Sequence, residues 1–483
     1  MKRQTFRLTS LLGALVLAGC ASVAPDGLRS AVDSHTAARL PAGSSLPTPE
    51  GSDTAEQQQA THTQIAQWLS QPVDADTAVR IALLRNPGLQ AQLAQLARQD
   101  AQRAQSLTLF NPTLTLGRFV NGHEREIERQ LSFNLVQLIT LPWRSRWQGW
   151  QLEQATLTAA QQVLLHAADT RRAWLRAVAA QQSLQAAEHM HDAAAVGGEL
   201  ARRMALVGNF SKRDQAQELR VQHDAAAQLA RARLTAALER EQLARLMGLW
   251  GPQADFALPA QLPALPAANA LHTGADAEAT ALHERLDVRA LRRDLDTTAD
   301  RSGFSRVGSL FGDIGASYSR NTSTDRATRH DEVTRGWELD IPLPLFDWGG
   351  VAAAGTRAQL QHSSALLRDA ALRARSEART SWLRYRTAWD LAQQQRTEVL
   401  PLAQLMQEEA VYRYNGMFIS TWQLLAQARS TAQAVTTATD AQRDFWLADV
   451  DLQLALYSTS PGAAAAAPAS STAASTDTPA QGH

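Results

Sequence analysis

Two kinds of hydrophobic pattern alternate along the chain. Long stretches carry apolar residues at spacings of three, four and seven, which is typical of helices that bury one narrow stripe. The clearest run comprises Leu164, Ala168, Leu175 and Val178. Short stretches between them place an apolar residue at every second position, which indicates strands. The pattern therefore predicts a mainly helical fold with a few short strands.

The longest helical stretch has a break inside it. No proline occurs between Pro142 and Pro252, and good helix formers dominate there. The dipeptide Gly208-Asn209 in "MALVGNFSKRDQAQ" is nevertheless a turn signal. We predict one helix over residues 145–207, a reversal at Gly208, and a second helix that runs back.

This helical hairpin occurs twice, in two similar halves. We place the first repeat at residues 63–250, a Pro-rich linker at 251–275 and the second repeat at 276–457. Each half is predicted to open with one helix, over residues 77–106 and 277–302. The second break lies in "YNGMFISTWQLLAQ", where superposing Gly416 on Gly208 also places Phe418 on Phe210. A helix over residues 351–414 leads into this break, and Pro401 is expected to kink it.

Four strands are predicted between the helices, near residues 112–120, 130–140, 311–320 and 333–343. The connections, residues 121–128 and 320–332, are polar and are predicted to be surface loops. Such strands could form two soluble hairpins or cross a membrane. Because the smallest membrane barrels need about eight strands, four strands cannot close one, whereas three chains would supply twelve.

The first residues have the pattern of a bacterial lipoprotein signal. Lys2 and Arg3 precede a short apolar run that ends in "LAGC". Cys20 is the single cysteine of the chain, so we expect it to receive the lipid. We expect residues 1–19 to be the signal peptide, residues 20–62 a lipidated tether on the outer membrane, and residues 458–483 a disordered tail.

Composition and motifs exclude several functions. The formal net charge is +0, which gives no indication of a nucleic-acid partner. No phosphate loop, nucleophile elbow or zinc-protease motif occurs, so we expect neither an enzyme nor a cofactor. In "EHMHD", His189 and His191 lie on different sides of a helix, so we expect no metal site there.

The order of elements and its duplication resemble the TolC-type family of outer-membrane efflux ducts. The segments that carry the resemblance are the lipobox, "RNPGLQAQLAQL", "LPLFDWGG" and "EVLPLAQLMQEEAVYRYNGMFISTWQLLAQ". The resemblance implies a homotrimer with a twelve-stranded β-barrel in the outer membrane. It also implies a long periplasmic α-barrel whose tips dock onto a periplasmic adaptor, which connects to an inner-membrane pump.

The resemblance assigns the two breaks to the periplasmic tips. The residues expected to dock the adaptor are Val207, Gly208, Asn209, Phe210, Asn415, Gly416, Met417 and Phe418. The alternative is that these residues only reverse the chain, since glycine at φ > 0 would serve either role. Family members often carry an acidic residue six positions after the tip glycine. Asp214 keeps this pattern, whereas Trp422 and Leu425 stand where carboxylates would be expected, so we predict an aperture partly lined by Trp422.

A second class of function is also compatible with the predicted helices. A periplasmic coiled-coil adaptor or scaffold lipoprotein would also consist of helical hairpins. Two amphipathic strand pairs, with Trp337 on an apolar side, argue for the duct. An enzyme ranks third, because the sequence shows no candidate catalytic site.

Overall fold

The computed structural model describes residues 22–48, 55–108, 111–122, 124–274, 276–310, 314–325, 330–341 and 349–459. Eleven α-helices and four strands lie in this part of the chain. The helices are α1 (Arg29–Thr36), α2 (Ala55–Leu69), α3 (Ala75–Arg85), α4 (Pro87–Leu107), α5 (Leu135–Leu206), α6 (Lys212–Leu246), α7 (Ala277–Glu284), α8 (Leu286–Leu310), α9 (Gly350–Gln394), α10 (Leu400–Asn415) and α11 (Thr421–Tyr457). The strands are β1 (Thr113–Asn121), β2 (Glu124–Asn134), β3 (Gly315–Asp325) and β4 (His330–Asp340).

The one helix predicted at the start of each half is divided into two, α3 and α4 in the first half and α7 and α8 in the second. The break after α3 lies at Asn86, whose side chain caps α4 at Leu89 N and donates to Leu246 O at the end of α6. The break after α7 lies at Arg285, whose guanidinium reaches Ala455 O near the end of α11. Both break residues thus tie the opening helices to the last helix of their own half.

The long helices give the chain its length. The helix α5 contains 72 residues and is about 108 Å long at 1.5 Å per residue. In the second half a π-helical turn, Gln395–Val399, separates α9 from α10 immediately before Pro401. Such a turn widens the helix where proline cannot donate to the preceding turn. The predicted irregularity at Pro401 therefore takes the form of a π-turn.

The four strands form one antiparallel sheet in the order β1-β2-β3-β4. The strand predicted at 130–140 is wrong in its bounds, because β2 spans Glu124–Asn134 and α5 begins at Leu135. The predicted polar loops 121–128 and 320–332 are largely strand as well. Their charged sequence resembled a loop, but β1 and β3 pair with both edges of β2 and satisfy its backbone regardless of side-chain polarity.

Part of the predicted tether packs onto the helices. Within residues 22–48, Val32 is fully buried in α1 and Leu46 joins the same core cluster as Leu89 and Leu93. The backbone N–H of Ala24 also donates to the buried Asp100, at 2.7 Å. The Ser- and Pro-rich composition did not indicate this packing, because only a few apolar residues provide it. Cys20, the signal peptide and residues 460–483 lie outside the described residues.

The buried core lies in the middle of the molecule, where the short helices of both halves surround the long ones. Trp174 anchors one cluster, with its indole N–H donating to Val73 O at 2.7 Å. Phe445 and Tyr385 anchor another cluster in the second half. Among the described helices, none has an apolar stretch long enough to cross a bilayer.

Candidate functional site at the hairpin tips and on the sheet

The first tip joins α5 to α6 through a tight helix end. Gly208 adopts φ 79°, a left-handed conformation that glycine takes without steric cost. The N–H of Asn209 donates to Met204 O at 2.9 Å, and the N–H of Gly208 donates to Ala205 O at 3.1 Å. These bonds form the Schellman pattern that commonly ends a helix. Ser211 then begins α6, accepting the N–H of Asp214 on its hydroxyl.

The second tip, between α10 and α11, has the same hydrogen bonds with a different residue in the left-handed position. Phe418 N–H donates to Arg413 O at 2.8 Å, and Met417 N–H donates to Tyr414 O at 2.9 Å. Met417 has φ 60°, whereas Gly416 has φ −80°. Ser420 caps α11 and forms a reciprocal capping box with Gln423.

The two tips therefore superpose one residue away from the predicted alignment. Gly208 corresponds to Met417, and the cap Ser211 corresponds to Ser420. The prediction that Gly416 provides the left-handed turn is wrong. Shared backbone hydrogen bonds define the equivalence, and a glycine beside the turn misled the sequence alignment. The structural counterpart of Asp214 is consequently Gln423, not Trp422.

The tips carry exposed apolar side chains. Met417 is 93 % exposed and Phe418 is 83 % exposed. On the first tip, Leu206 and Val207 are 86 % and 70 % exposed. Phe210, one of the residues predicted to dock the adaptor, is half-buried. The apolar surface at the tips is thus formed by helix-end residues of both hairpins.

Phe210 is half-buried because it stacks on Trp422. Their ring centroids lie 5.0 Å apart with an interplanar angle of 24°. Leu425 and Trp422 also approach Gly197 on α5, where a Cβ atom would lie 3.3 Å from the Leu425 side chain and 3.7 Å from Trp422. Gly197 therefore lets α11 lie close to α5. These contacts join the two hairpins of one chain near their tips.

A pair of opposite charges lies beside the aromatic stack. Arg429 Nη1 on α11 is 3.9 Å from the Glu218 carboxylate on α6, and both side chains are largely buried. Sequence reasoning missed Gly197, Glu218 and Arg429; only the unusual Gly197-Gly198 pair inside a helix signalled a close contact. Asp214 is exposed, and its carboxylate accepts a hydrogen bond from the Ser211 hydroxyl at 2.7 Å. Asp214 therefore supports the cap at the start of α6.

The sheet has two chemically different faces. The apolar face carries Trp337, which is 79 % exposed. Its ring lies against Tyr318 of the neighbouring strand, with the ring centroids 5.0 Å apart and the planes tilted by 52°. Leu114 and Leu131 complete this row across the sheet, and Leu339 lies in the next row. Leu131 and Tyr318 are half-buried between the exposed Leu114 and Trp337. A continuous apolar row across four strands indicates a surface that faces an apolar environment.

The opposite face is mainly polar and acidic, with Phe119 as its exposed apolar side chain. Across it, Gln130 donates to Ser317, and Asn321 donates to Glu126 at 3.2 Å. The carboxylates on this face are Glu124, Glu126, Glu128, Asp325, Glu332, Glu338 and Asp340. No lysine or arginine of the described strands lies on the same side. A surface of this composition would attract cations.

The described residues contain no group of three potential metal ligands close enough to hold an ion. His191 lies near Asp192 on the exposed surface of α5, with their closest atoms 3.4 Å apart. The candidate functional residues of this chain therefore lie on the tips and on the sheet.

No protein-family model and no curated protein matches the sequence. Solved structures do match over most of the chain. CusC superposes with a TM-score of 0.64 at 16 % identity, over 80 % of this chain and 93 % of that chain. The CusC structures concern conformational changes that accompany folding and transmembrane channel formation. The CmeC outer-membrane channel of Campylobacter jejuni gives 0.63 at 14 % identity, over 79 % and 85 % of the two chains.

The outer membrane protein VceC of Vibrio cholerae gives a TM-score of 0.63 at 15 % identity, over 79 % of this chain and 96 % of that chain. The chain has the fold of these outer-membrane channels. The predicted fold class, long helical hairpins with a pair of β-hairpins, is confirmed. Within this channel fold, α5 to α6 and α10 to α11 are the two hairpin tips farthest from the sheet.

Proposed function

We propose that the protein is the outer-membrane exit duct of a tripartite efflux system, conducting substrates passively from a periplasmic adaptor and an inner-membrane pump. The observation that carries this proposal is the two-faced sheet at one end of long helical hairpins. An apolar outer face and an acidic inner face suit a water-filled barrel in lipid. An adaptor or scaffold built of hairpins alone has no use for such a sheet.

The duct requires three copies of the chain. The sheet ends in two open edges, β1 and β4, and open edges are not tolerated in lipid. Pairing β1 of one protomer with β4 of the next would close a barrel of twelve strands. The long helices would continue the barrel into the periplasm. No catalytic step, cofactor or metal ion is part of this function.

The tips are the surface on which the adaptor would dock. This proposal rests on the exposure of Val207, Met417 and Phe418 at the ends of both hairpins. Gly208, Asn209, Asn415 and Gly416 would shape the two turns, and Phe210 would support them from behind through Trp422. Trp422 and Leu425 would narrow the aperture by holding the two hairpins together, with Asp214 on the exposed rim.

We further propose that Cys20 carries lipid and anchors the mature chain to the outer membrane. This proposal is supported by the sequence "LAGC", which ends in the single cysteine of the chain. Mass spectrometry of the purified protein would show the added acyl mass, and Cys20→Ala would remove it. A mature protein that retains an unmodified Cys20 would contradict the anchor without affecting the duct.

The duct is tested by fractionation and conductance. The protein should occur in the outer-membrane fraction as a heat-modifiable trimer, and it should form cation-preferring channels in planar bilayers because its inner sheet face is acidic. A monomer that remains in the periplasmic fraction and forms no channel would support the scaffold alternative instead.

Docking is tested by cross-linking single cysteines placed at Val207 and Met417. We expect both to cross-link to the adaptor that is encoded or purified with the protein. Leu372→Cys on α9, whose side chain is 66 % exposed, is the matched control and should not cross-link. Equal cross-linking from all three positions would contradict docking at the tips.

A further inference from the structure

The arginines of the sheet all lie on its apolar face. They are Arg118, Arg125, Arg129, Arg320 and Arg335. The pairing of the strands determines this, since side chains alternate between faces along each strand. Asp331 is the one carboxylate of the described strands on the same face. Arginine and carboxylate are therefore separated almost completely by the sheet.

Three of these arginines are direct neighbours across the strands. Arg129 on β2 is paired with Arg320 on β3, and Arg320 is paired with Arg335 on β4. All three side chains are exposed. Like charges directly opposite each other on neighbouring strands destabilise a sheet. Such a row is therefore costly unless anions from outside the chain lie against it.

The described residues do not supply those anions. Among the described ion pairs none involves any of the five arginines; the side chain of Arg129 reaches only the hydroxyl of Thr322, at 3.5 Å. The carboxylates of the neighbouring positions, such as Glu128 and Glu338, point to the other face. The counter-charge must come from the surroundings of the apolar face.

The height of the row indicates which surroundings these are. Arg335 lies two residues from Trp337 along β4, on the side of the hairpin ends and away from the helices. Two strand residues span about 7 Å. The apolar positions Trp337, Leu339 and Ile341 follow in the direction of the helices. The row of three arginines thus lies next to the Tyr318–Trp337 row, and from there outward arginines alternate with the apolar side chains of Ile127 and Val333. Such a mixture of aromatic, basic and apolar residues is typical of the level at which membrane proteins meet lipid headgroups.

We propose that Arg129, Arg320 and Arg335 bind the phosphate groups of phosphorylated lipids in the outer leaflet, with Arg118 and Arg125 extending the same site. The proposal rests on the barrel proposed above. The planar guanidinium binds phosphate oxygens in a bidentate manner, which suits it to this ligand. In a trimer the three rows would form a belt around the barrel.

The test uses the purified full-length oligomer in a neutral detergent. Native mass spectrometry would compare the binding of lipid A with that of dephosphorylated lipid A, which has the same acyl chains. Wild type should bind lipid A and release it at high salt. The variant R129Q/R320Q/R335Q should bind it roughly 100-fold more weakly, at about fivefold per arginine. Inorganic phosphate alone should not compete at comparable concentration.

The control variant R357Q/R368Q/R384Q removes the same charge from exposed positions of α9 and should bind lipid A as wild type does. Conductance of each variant shows whether the barrel is intact. Equal lipid A binding by the two triple variants, or equal binding of both lipids by wild type, would overturn the arginine belt and leave the duct standing. Failure of wild type to form oligomers or channels would overturn the duct itself, and the belt with it.

Discussion

Exchanging the residues at the left-handed positions of the two tips should have opposite effects on their stability. An L-residue in this conformation costs roughly 1–2 kcal/mol, and glycine offsets this by losing about 0.5–1 kcal/mol more backbone entropy on folding. Met417→Gly should therefore stabilise the second tip by about 0.5–1 kcal/mol. Gly208→Ala should destabilise the first tip by a similar amount. No atom lies within 4 Å of the added Cβ, so the cost comes from the left-handed backbone conformation alone.

Gly416→Ala is the matched control at the adjacent residue. Gly416 has φ −80°, which alanine adopts readily, so this change should be neutral or slightly stabilising. Its new Cβ would meet the Phe418 ring at 2.7 Å, but that ring is 83 % exposed and can turn away. The one-residue difference between the two tips thus predicts a contrast between Gly416 and Gly208.

Hydrogen exchange of two backbone amides measures the effect. The N–H groups of Asn209 and Phe418 each donate to the carbonyl five residues earlier in the chain, and these hydrogen bonds close the two tips. Gly208→Ala should speed exchange at Asn209 about threefold to fivefold, and Met417→Gly should slow exchange at Phe418 by a similar factor. The reasoning is refuted if Gly416→Ala speeds exchange at Phe418 as much as Gly208→Ala does at Asn209.

Three further changes test other parts of the molecule. Trp422→Ala removes the ring stack on Phe210, which contributes about 0.5–1.5 kcal/mol in each chain. This change should raise the resting conductance, whereas Phe418→Ala should not. An unchanged conductance in both variants would contradict the role of Trp422 in the aperture. Burial raises the pKa of Asp449, whose side chain is 13 % exposed, above 3.8. Because the folded chain then holds the proton more tightly, stability falls as pH rises through that pKa, and Asp449→Asn should flatten this fall in thermal melts from pH 4 to 7. Arg285→Ala strands the carboxylates of Asp287 and Glu377 and should cost about 3–5 kcal/mol, whereas Arg379→Ala, at an exposed ion pair, should cost less than about 1 kcal/mol in the same melts.

The segregation of charge between the two sheet faces would give the proposed duct distinct inner and outer surfaces. Acidic groups face the proposed lumen, where they would favour cationic cargo and small cations. Arginines face the proposed lipid, where they would fix the height of the barrel in the membrane. One alternation of side chains along four strands produces both properties.

The sequence predicted the helical hairpins and their duplication well, because long runs of good helix formers without proline form helices in almost any context. It also predicted both tips, since a glycine beside a helix end is a strong local signal. It could not identify the left-handed residue of the second tip. Gly416 and Met417 are adjacent, and only the hydrogen bonds of Met417 and Phe418 to the preceding turn show which residue reverses the chain.

The strands show the same division. The alternation in residues 113–120 and 333–340 was sufficient to predict β1 and β4. The charged segment at the start of β2 lacks this alternation and resembles a loop. It is a strand because β1 and β3 pair with both of its edges, whatever the polarity of its side chains. The close approach at Gly197 was likewise hidden, since α5 and α11 are more than two hundred residues apart in sequence.

By itself, the sequence determined what depends on neighbouring residues: the helices, the turns that end them, the repeat, and the candidate lipid site at Cys20. The tertiary structure alone decided what depends on register between distant segments. The pairing of β2 with β3 and of β3 with β4 aligned the three arginines, and the packing of α11 on α5 brought Trp422 onto Phe210. Local propensity is encoded in a few adjacent residues, whereas register results from many weak contacts that no single segment contains.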